Sequence, residues 1–205
     1  DWMVKLNPLK VSRAERNLEV KNSRGQAITL KGVLVGEVWF SSGQSNMVWT
    51  ADKSMCNQLV RDLASAKDEV LIREININTM SALYPQKRAT SDDGWKKISA
   101  AGGFSALSLS FAHELYKDLN MPIGILLSAH SNTRVEAFTQ RGAIEAHHRL
   151  KGDADLMRDA DPLTEQGRKT YARYYDELSQ WQDAAGKAME LGGRVPARPK
   201  LPGIA

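Results

Sequence analysis

The sequence is poor in cysteine: Cys56 is the single one in 205 residues, so no disulfide can form within the chain. No window approaches the roughly 18 consecutive apolar residues that a membrane-spanning helix requires. The net charge is only +4, with the lysines and arginines scattered among acids. Nucleic-acid binding requires instead a basic face with interleaved aromatics. We therefore expect neither a disulfide-stapled scaffold nor a protein that binds membranes or nucleic acid.

The composition is typical of a globular protein, with 42% apolar and 25% charged residues. The length suffices for one domain of ordinary size plus an appendage. No signal peptide is visible, and because the sequence starts at Asp1 without an initiator Met, we expect a mature or trimmed product. The sequence pattern divides the chain into three segments, at residues 1–31, 32–150 and 151–205.

Residues 1–31 contain three short strand patterns, at residues 3–6, 17–20 and 27–30, with a turn signal at residues 23–25. Three strands of this length cannot form a hydrophobic core alone. We therefore predict that this segment is the end of a β domain that begins upstream.

Residues 32–150 alternate between strand and helix patterns. Residues 33–40 are nearly all apolar, which predicts a strand buried on both faces. The further predicted elements are a helix containing Met55, Leu59 and Leu63, a strand at residues 70–77, a helix from Leu107 to Leu119 and a strand at residues 123–127. This rhythm predicts an α/β fold with a parallel sheet. Sites in such sheets form at the carboxyl ends of strands, where the polar clusters at residues 41–47 and 128–136 fall.

Residues 151–205 have a different character. Residues 152–162 are acidic and indicate a loop, and the apolar residues from Tyr171 to Met189 keep helical spacing until Gly192 and Gly193. Three prolines then indicate an extended linker. We predict a helical insertion followed by a proline-rich linker.

Ser45 is the candidate nucleophile, in the sequence Gly43-Gln44-Ser45-Asn46-Met47 between the buried strand and a helix. A tight turn at this place exposes the hydroxyl, and the backbone N–H groups at a helix start can stabilise an oxyanion. A helix-capping serine or an ordinary polar loop is the alternative. The sequence is not the Gly-x-Ser-x-Gly turn of α/β-hydrolases, because Met47 replaces the second glycine.

Residues 33–49 read VLVGEVWFSSGQSNMVW, which resembles the block V-L-V-G-E-V-W-x-x-S-G-Q-S-N-M-x-W of the sialate O-acetylesterase-like family of SGNH hydrolases. Residues 104–106 resemble the second block of that family. Residues 122–138 resemble its third block, and residues 164–191 resemble a common insertion. The resemblance covers residues 2 to about 203.

The resemblance implies the SGNH-hydrolase, flavodoxin-like fold, a parallel sheet flanked by helices that is incomplete in this chain. It implies a serine carbohydrate O-acetylesterase that uses no metal and no other cofactor, with Ser45 as the nucleophile. The N–H groups of Ser45 and Ser108, with the side chain of Asn132, are the implied oxyanion donors. The implied site-supporting residues are Gln44, Asn46 and Glu136.

Two departures from the family pattern bear on these roles. Ser108 stands where the family has a glycine, and residues 130–133 read His-Ser-Asn-Thr where the family has Trp-Gly-Gly-Thr. A backbone N–H survives at Ser108. Asn132 is either an amide donor or a turn residue that tolerates positive φ, and the sequence leaves both open.

The sequence does not supply the general base that Ser45 would need. The family's Asp and His follow the insertion, beyond the end of this sequence, and His130 is expected to be a wall of the site rather than the base. We therefore expect the remainder of the same polypeptide, as a second chain or a further segment, to be a partner. Without it, the chain would expose unpaired strand edges.

The resemblance implies an acetylated carbohydrate as the substrate, either sialic acid or a plant polysaccharide such as xylan or xyloglucan. It also implies a periplasmic or extracellular location. The rival hypothesis is a non-catalytic carbohydrate-binding or scaffold protein that retains the SGNH fold, and the departures at Ser108 and residues 130–132 are what favour it.

Overall fold

A computed structural model describes residues 3–66 and 69–203 of the chain. The outer ends of the first and last predicted segments, at residues 1 and 205, lie outside these residues. The strands are β1 (Ser12–Lys21), β2 (Ala27–Val35), β3 (Glu37–Gly43), β4 (Ile72–Asn76), β5 (Trp95–Lys97) and β6 (Ile123–Ala129). The helices are α1 (Ser45–Val48), α2 (Asn57–Ala64), α3 (Ala106–Leu119), α4 (Arg141–Ala146), α5 (Lys151–Ala160) and α6 (Glu165–Glu190). Short 3-10 helices occupy Ala51–Lys53, Ile98–Gly103, Val135–Phe138 and His148–Leu150.

The chain divides into two compact units. The first contains the chain up to Met80 together with Lys87–Arg134, and the second contains Ser81–Gln86 together with the chain from Val135 onward. The predicted boundary between residues 31 and 32 falls inside β2, and the three-segment division stays a prediction. Within residues 3–66 and 69–203, no helix combines the length and the apolar character needed to cross a membrane.

The first unit begins with an antiparallel hairpin of β1 and β2. The Asn22 side-chain oxygen accepts hydrogen bonds from the N–H groups of Arg24 and Gln26 and so closes the predicted turn. The strand predicted at residues 3–6 is wrong, because residues 3–11 have no regular structure. Alternating apolar residues form a strand only where a partner strand and a core bury one face. Met3 is exposed, so this face is not buried here.

The strand predicted at residues 33–40 is two strands, β2 and β3, that meet at Gly36. A Cβ atom on Gly36 would lie 2.0 Å from the Pro122 carbonyl oxygen, so only glycine permits this approach of the two backbones. Glu37 N–H donates to the same oxygen at 3.0 Å. The apolar run therefore leaves the hairpin at Gly36 and enters a second sheet beside β6.

The second sheet has the strand order β3-β6-β4-β5. The strands β3, β6 and β4 are parallel, and β5 pairs antiparallel with β4. The α/β prediction is confirmed, but the sheet is mixed rather than purely parallel. The prediction that the first strand is buried on both faces is wrong: Val38 is 58% exposed and Phe40 is 66% exposed. The physical reason is that Trp39 contacts Phe111 of α3, so Val38 and Phe40, which alternate with Trp39, lie on the opposite, exposed face of the sheet.

One face of the second sheet packs against α2 and α3. The buried side chains of this core are Ala51, Leu63, Ile72, Ala101, Phe104, Ala106, Leu109, Ala112, Ile123, Ile125 and Leu127. The helix predicted from Leu107 to Leu119 is confirmed as α3, which ends at Asn120 in the left-handed conformation (φ 48°). The helix predicted to contain Met55, Leu59 and Leu63 is α2, but Met55 precedes it and is fully exposed. The core therefore holds the sheet and α3 in one layered arrangement.

The second unit is helical. The loop predicted at residues 152–162 is wrong, because residues up to Ala160 form α5. Ala154 and Met157 face inward and pack with Ile144, and the aspartates of this helix, Asp153, Asp155 and Asp159, are half-buried. The predicted helix at residues 164–191 is confirmed as α6, whose N-cap Thr164 accepts a hydrogen bond from Gly167 N–H at 2.9 Å.

Asp161 fixes the turn between α5 and α6. Its carboxylate is fully buried and accepts hydrogen bonds from the Tyr84 hydroxyl, from Arg141 Nη1 at 2.6 Å and from Leu163 N–H at 2.9 Å. The Tyr84 hydroxyl and the Arg141 guanidinium hold the pKa of Asp161 at about 2. Residues 81–86 therefore attach to the helices of the second unit through a buried charged group.

We predict that Gly36→Ala destabilises the protein by about 2 kcal/mol or more, because a methyl group cannot fit against the Pro122 carbonyl without moving β3 or β6. The matched control is Gly186→Ala in α6, where an added Cβ meets no atom within 4 Å. We expect that control to be neutral or stabilising, since alanine favours helix. Thermal denaturation of both variants is the measurement, and equal stability of the two would contradict the role given to Gly36.

Candidate active site

The turn that carries Ser45 begins where β3 ends. Gly43 has a φ of +148°, a conformation that favours glycine. Gln44 is the N-cap of α1, and its carbonyl oxygen accepts the Met47 N–H at 2.8 Å. Ser45 is the first residue of this short helix and is half-buried. The local sequence of strand, glycine and polar cap thus presents a serine hydroxyl at the end of a parallel strand.

The Gln44 side chain accepts hydrogen bonds from both the backbone N–H and the hydroxyl of Ser45. Its Oε1 atom accepts the Ser45 backbone N–H at 2.9 Å and the Ser45 hydroxyl at 2.7 Å. An amide oxygen is a hydrogen-bond acceptor but not a general base at neutral pH. In this structure Gln44 therefore orients the hydroxyl without activating it, and it occupies the Ser45 N–H that an oxyanion would need.

The loop after β6 lies beside this turn. The register of β3 and β6 pairs Gly43 with Ala129, and the His130 N–H donates to the Gly43 carbonyl at 3.0 Å. The imidazole of His130 is exposed, and its Nδ1 lies 2.9 Å from the Ser131 carbonyl oxygen. Among the described residues, no histidine nitrogen forms a hydrogen bond with Ser45.

Two exposed amide side chains belong to these loops. Asn132 has a φ of +57°, the positive φ expected of a turn residue at this position. It is also exposed, so its side-chain amide faces solvent. Asn46 is exposed on α1. In the part of the chain that the structure describes, neither side chain hydrogen-bonds to another residue. Both amides are therefore accessible to a ligand.

Ser108 lies beneath the turn rather than on its surface. It is 2% exposed, and its N–H donates to the Ser105 hydroxyl oxygen at 3.3 Å in the N-cap of α3. The hydroxyls of Ser105 and Ser108 donate to the Met47 sulfur at 3.5 and 3.4 Å. The structure thus brings the predicted oxyanion residue Ser108 close to the α1 helix, with its N–H occupied by the helix cap.

A backbone bridge joins the segment after Ser45 to the start of α3. Ala106 N–H donates to the Trp49 carbonyl at 2.9 Å, and Ala51 N–H donates to the Phe104 carbonyl at 2.9 Å. Thr50 and Ser105 form the antiparallel bridge between these bonds. Any displacement of the α3 N-terminus therefore moves the backbone that follows the nucleophile turn.

Glu74 is a buried member of this cluster that the sequence analysis missed. It lies on β4, is 3% exposed, and both of its carboxyl oxygens are within reach of the Ser105 N–H, at 3.1 and 3.3 Å. Desolvation raises the pKa of Glu74 to about 7, opposed by the Ser105 hydrogen bond and the charge of Lys96. The sequence did contain a sign of this burial. Glu74 lies on the same face of the strand as Ile72, where the alternating pattern calls for an apolar residue.

Glu136 belongs to the second unit, in the 3-10 helix Val135–Phe138, where it is half-buried. Its predicted role of ordering the loop after β6 stays a prediction. Among the described residues, no group of three or more His, Cys, Asp or Glu side chains comes together at a spacing suited to a metal ion.

Comparison with known proteins supports the resemblance found in the sequence. The chain is 30% identical over 161 residues to a sialate O-acetylesterase of Rattus norvegicus and 28% identical over 158 residues to that of Homo sapiens, with 71% of this chain covered in each case. It spans only 28% and 29% of the length of these relatives. A crystal structure of a carbohydrate acetylesterase from Xanthomonas citri superposes with a TM-score of 0.55 at 32% identity, covering 65% of this chain and 30% of that one. No family model matches the chain.

We predict a stability change with pH that depends on Glu74. Because the pKa in the folded protein, about 7, exceeds the ordinary value of 4.5, the folded state binds the proton more tightly than the unfolded state. The stability that the protonated Glu74 carboxyl contributes is therefore fully present below pH 4.5 and is lost as the pH rises to 7. The free energy of unfolding falls by roughly 3 kcal/mol over this range.

Urea denaturation at pH values from 4.5 to 8 measures this change, with Glu74→Gln as the comparison. The uncharged glutamine cannot titrate, so the difference in stability between the two proteins should vary with pH over this window only. Parallel curves for the two proteins would contradict the burial cost assigned to Glu74.

Proposed function

We propose, on the premise that this chain is similar to part of the sialate O-acetylesterases, that it carries the nucleophile of a serine esterase which removes O-acetyl groups from a carbohydrate. The observation that carries the proposal is the half-buried Ser45 hydroxyl in a glycine-initiated turn at the carboxyl end of β3. Sites on α/β sheets form at this edge.

In the proposed reaction, the Ser45 Oγ attacks the acetyl carbonyl carbon while a histidine imidazole accepts the hydroxyl proton. The sugar hydroxyl leaves with that proton, and an acetyl-enzyme remains. Water, deprotonated by the same imidazole, then releases acetate and restores Ser45. Gln44 Oε1 holds the hydroxyl at 2.7 Å before attack, and the imidazole takes its place as acceptor.

The proposed oxyanion donors are the N–H of Ser45, the N–H of Ser108 and the amide of Asn132. Two of them are occupied by neighbours, Ser45 by Gln44 and Ser108 by Ser105. Gln44 Oε1 must therefore turn away before Ser45 N–H can stabilise the tetrahedral oxygen. The exposed Asn132 amide is free to turn toward it.

We place the general base on polypeptide that is not among the described residues, supplied by the remainder of the same protein. Two observations support this: no described histidine bonds to Ser45, and the chain spans less than a third of the relatives it matches. The strand β3 lies at an edge of the described sheet, so a further strand could pair with its free backbone groups and bring the base to Ser45.

The proposed substrate is a sugar acetyl ester, of sialic acid or of a plant polysaccharide such as xylan or xyloglucan. The mammalian relatives are sialate O-acetylesterases, and the bacterial one is a carbohydrate acetylesterase. By the same resemblance we propose a periplasmic or extracellular location.

We predict that Ser45→Ala lowers kcat for p-nitrophenyl acetate by at least about a thousandfold in the full-length polypeptide, because no other group replaces the nucleophile. The matched control is Ser65→Ala, at the exposed end of α2, which should leave the rate unchanged. Equal rates for Ser45→Ala and the unmodified protein would end the proposal that Ser45 is the nucleophile. If neither protein exceeds the uncatalysed rate, the non-catalytic carbohydrate-binding or scaffold hypothesis is left.

A second prediction separates the two roles of Asn132. Asn132→Gly keeps the positive φ but removes the amide, whereas Asn132→Ala also strains the turn. If the amide is an oxyanion donor, kcat falls by roughly a hundredfold in both variants. A glycine variant with normal kcat, beside a destabilised alanine variant, would assign Asn132 to the turn alone. Steady-state kinetics and thermal denaturation of the pair give the answer.

A further inference from the structure

We propose that Glu74 is a positioning residue of the proposed esterase site: its buried carboxyl group fixes the start of α3 and thereby the turn that carries Ser45. This inference rests on the proposed function for its catalytic meaning. The structural coupling that it describes can be measured without catalysis.

The contacts form one continuous path from β4 to the nucleophile. Glu74 accepts the Ser105 N–H through both carboxyl oxygens. Ser105 pairs with Thr50 in an antiparallel bridge. Trp49, the residue before Thr50, donates its N–H to the Ser45 carbonyl at 3.1 Å. A change at the carboxyl group therefore reaches the Ser45 backbone through its contact with the Ser105 N–H and two backbone contacts.

A second contact runs in parallel through side chains. The Ser105 hydroxyl accepts the Ser108 N–H and donates to the Met47 sulfur, and Met47 lies on α1 together with Ser45. Because Glu74 holds the backbone of Ser105, it also sets where this hydroxyl points.

The environment of Glu74 makes the path sensitive to protonation. Lys96, its register partner on β5, supplies the nearby positive charge, while Ile125, its partner on β6, is apolar. The α3 side presents the Ser105 N–H. Ionised Glu74 binds that N–H more strongly than neutral Glu74 does, so the turn should be held more firmly above neutral pH.

The test follows backbone amide signals of Ser105, Trp49 and Ser45 by NMR between pH 5 and 9. We expect all three signals to shift with one midpoint near pH 7 in the unmodified full-length polypeptide, and this pH-dependent shift to disappear in Glu74→Gln. Only the part of each shift that Glu74→Gln removes is assigned to Glu74. The control is Glu114→Gln, an exposed carboxylate on α3 paired with Lys117, which should keep the full shift.

Kinetics of the full-length polypeptide add a readout that a merely structural glutamate would not move. We expect kcat of the unmodified protein to rise from pH 6 to pH 8, and Glu74→Gln to reduce that rise with KM changed less than twofold. We expect Glu74→Leu to lower kcat at least tenfold. If Glu74→Leu fails to fold, the glutamine variant and the NMR titration still decide.

The inference is overturned if the three amide shifts persist in Glu74→Gln, or if only Ser105 responds while Trp49 and Ser45 do not. An unchanged pH profile of kcat in Glu74→Gln also overturns it. Failure of the proposed function has a different signature, namely hydrolysis that survives Ser45→Ala, and it leaves the amide titration to be judged by itself.

Discussion

The parallel pairing of β3 with β6 is the constraint on which the site depends. The pairing starts at the close approach of Gly36 to Pro122 and continues from Glu37 opposite Ile123 to Gly43 opposite Ala129. Because the side-chain period of a strand is two residues, this register fixes which residues face α3 and where both loops leave the sheet. The Ser45 turn and the loop that contains Asn132 are neighbours for this reason.

Beneath the nucleophile turn, the packing is polar where the rest of the first unit is apolar. Ser105, Ser108 and Glu74 are all buried there beside the Met47 sulfur. Buried polar groups are retained in a fold when their partners are satisfied, and in the described residues no buried side-chain nitrogen or oxygen lacks a hydrogen bond. Such a network fixes geometry more sharply than apolar contacts, because each bond has a direction as well as a distance.

The elements that local sequence determines were predictable. The Ser45 turn follows from a strand, a glycine and a capping polar residue, and α3 follows from apolar residues spaced four apart. The break at Gly36 was not predictable, because the atom that requires glycine belongs to Pro122, far along the chain. Glu74 was missed for the same reason: its burial depends on an N–H from α3. Both features depend on contacts between residues far apart in the chain, which local periodicity does not reveal.

The short segment Ser81–Gln86 has a consequence for dissecting this protein. It leaves the first unit between β4 and β5, contributes Leu83 and Tyr84 to the second unit, and returns. The chain therefore passes between the units three times, and neither unit is an uninterrupted stretch of sequence. A truncation after Arg134 would strip Tyr84 of its carboxylate acceptor, and expression of the helical part alone would leave Asp161 without its phenol donor. Independent production of either half accordingly calls for a spliced or circularly permuted gene rather than a simple cut.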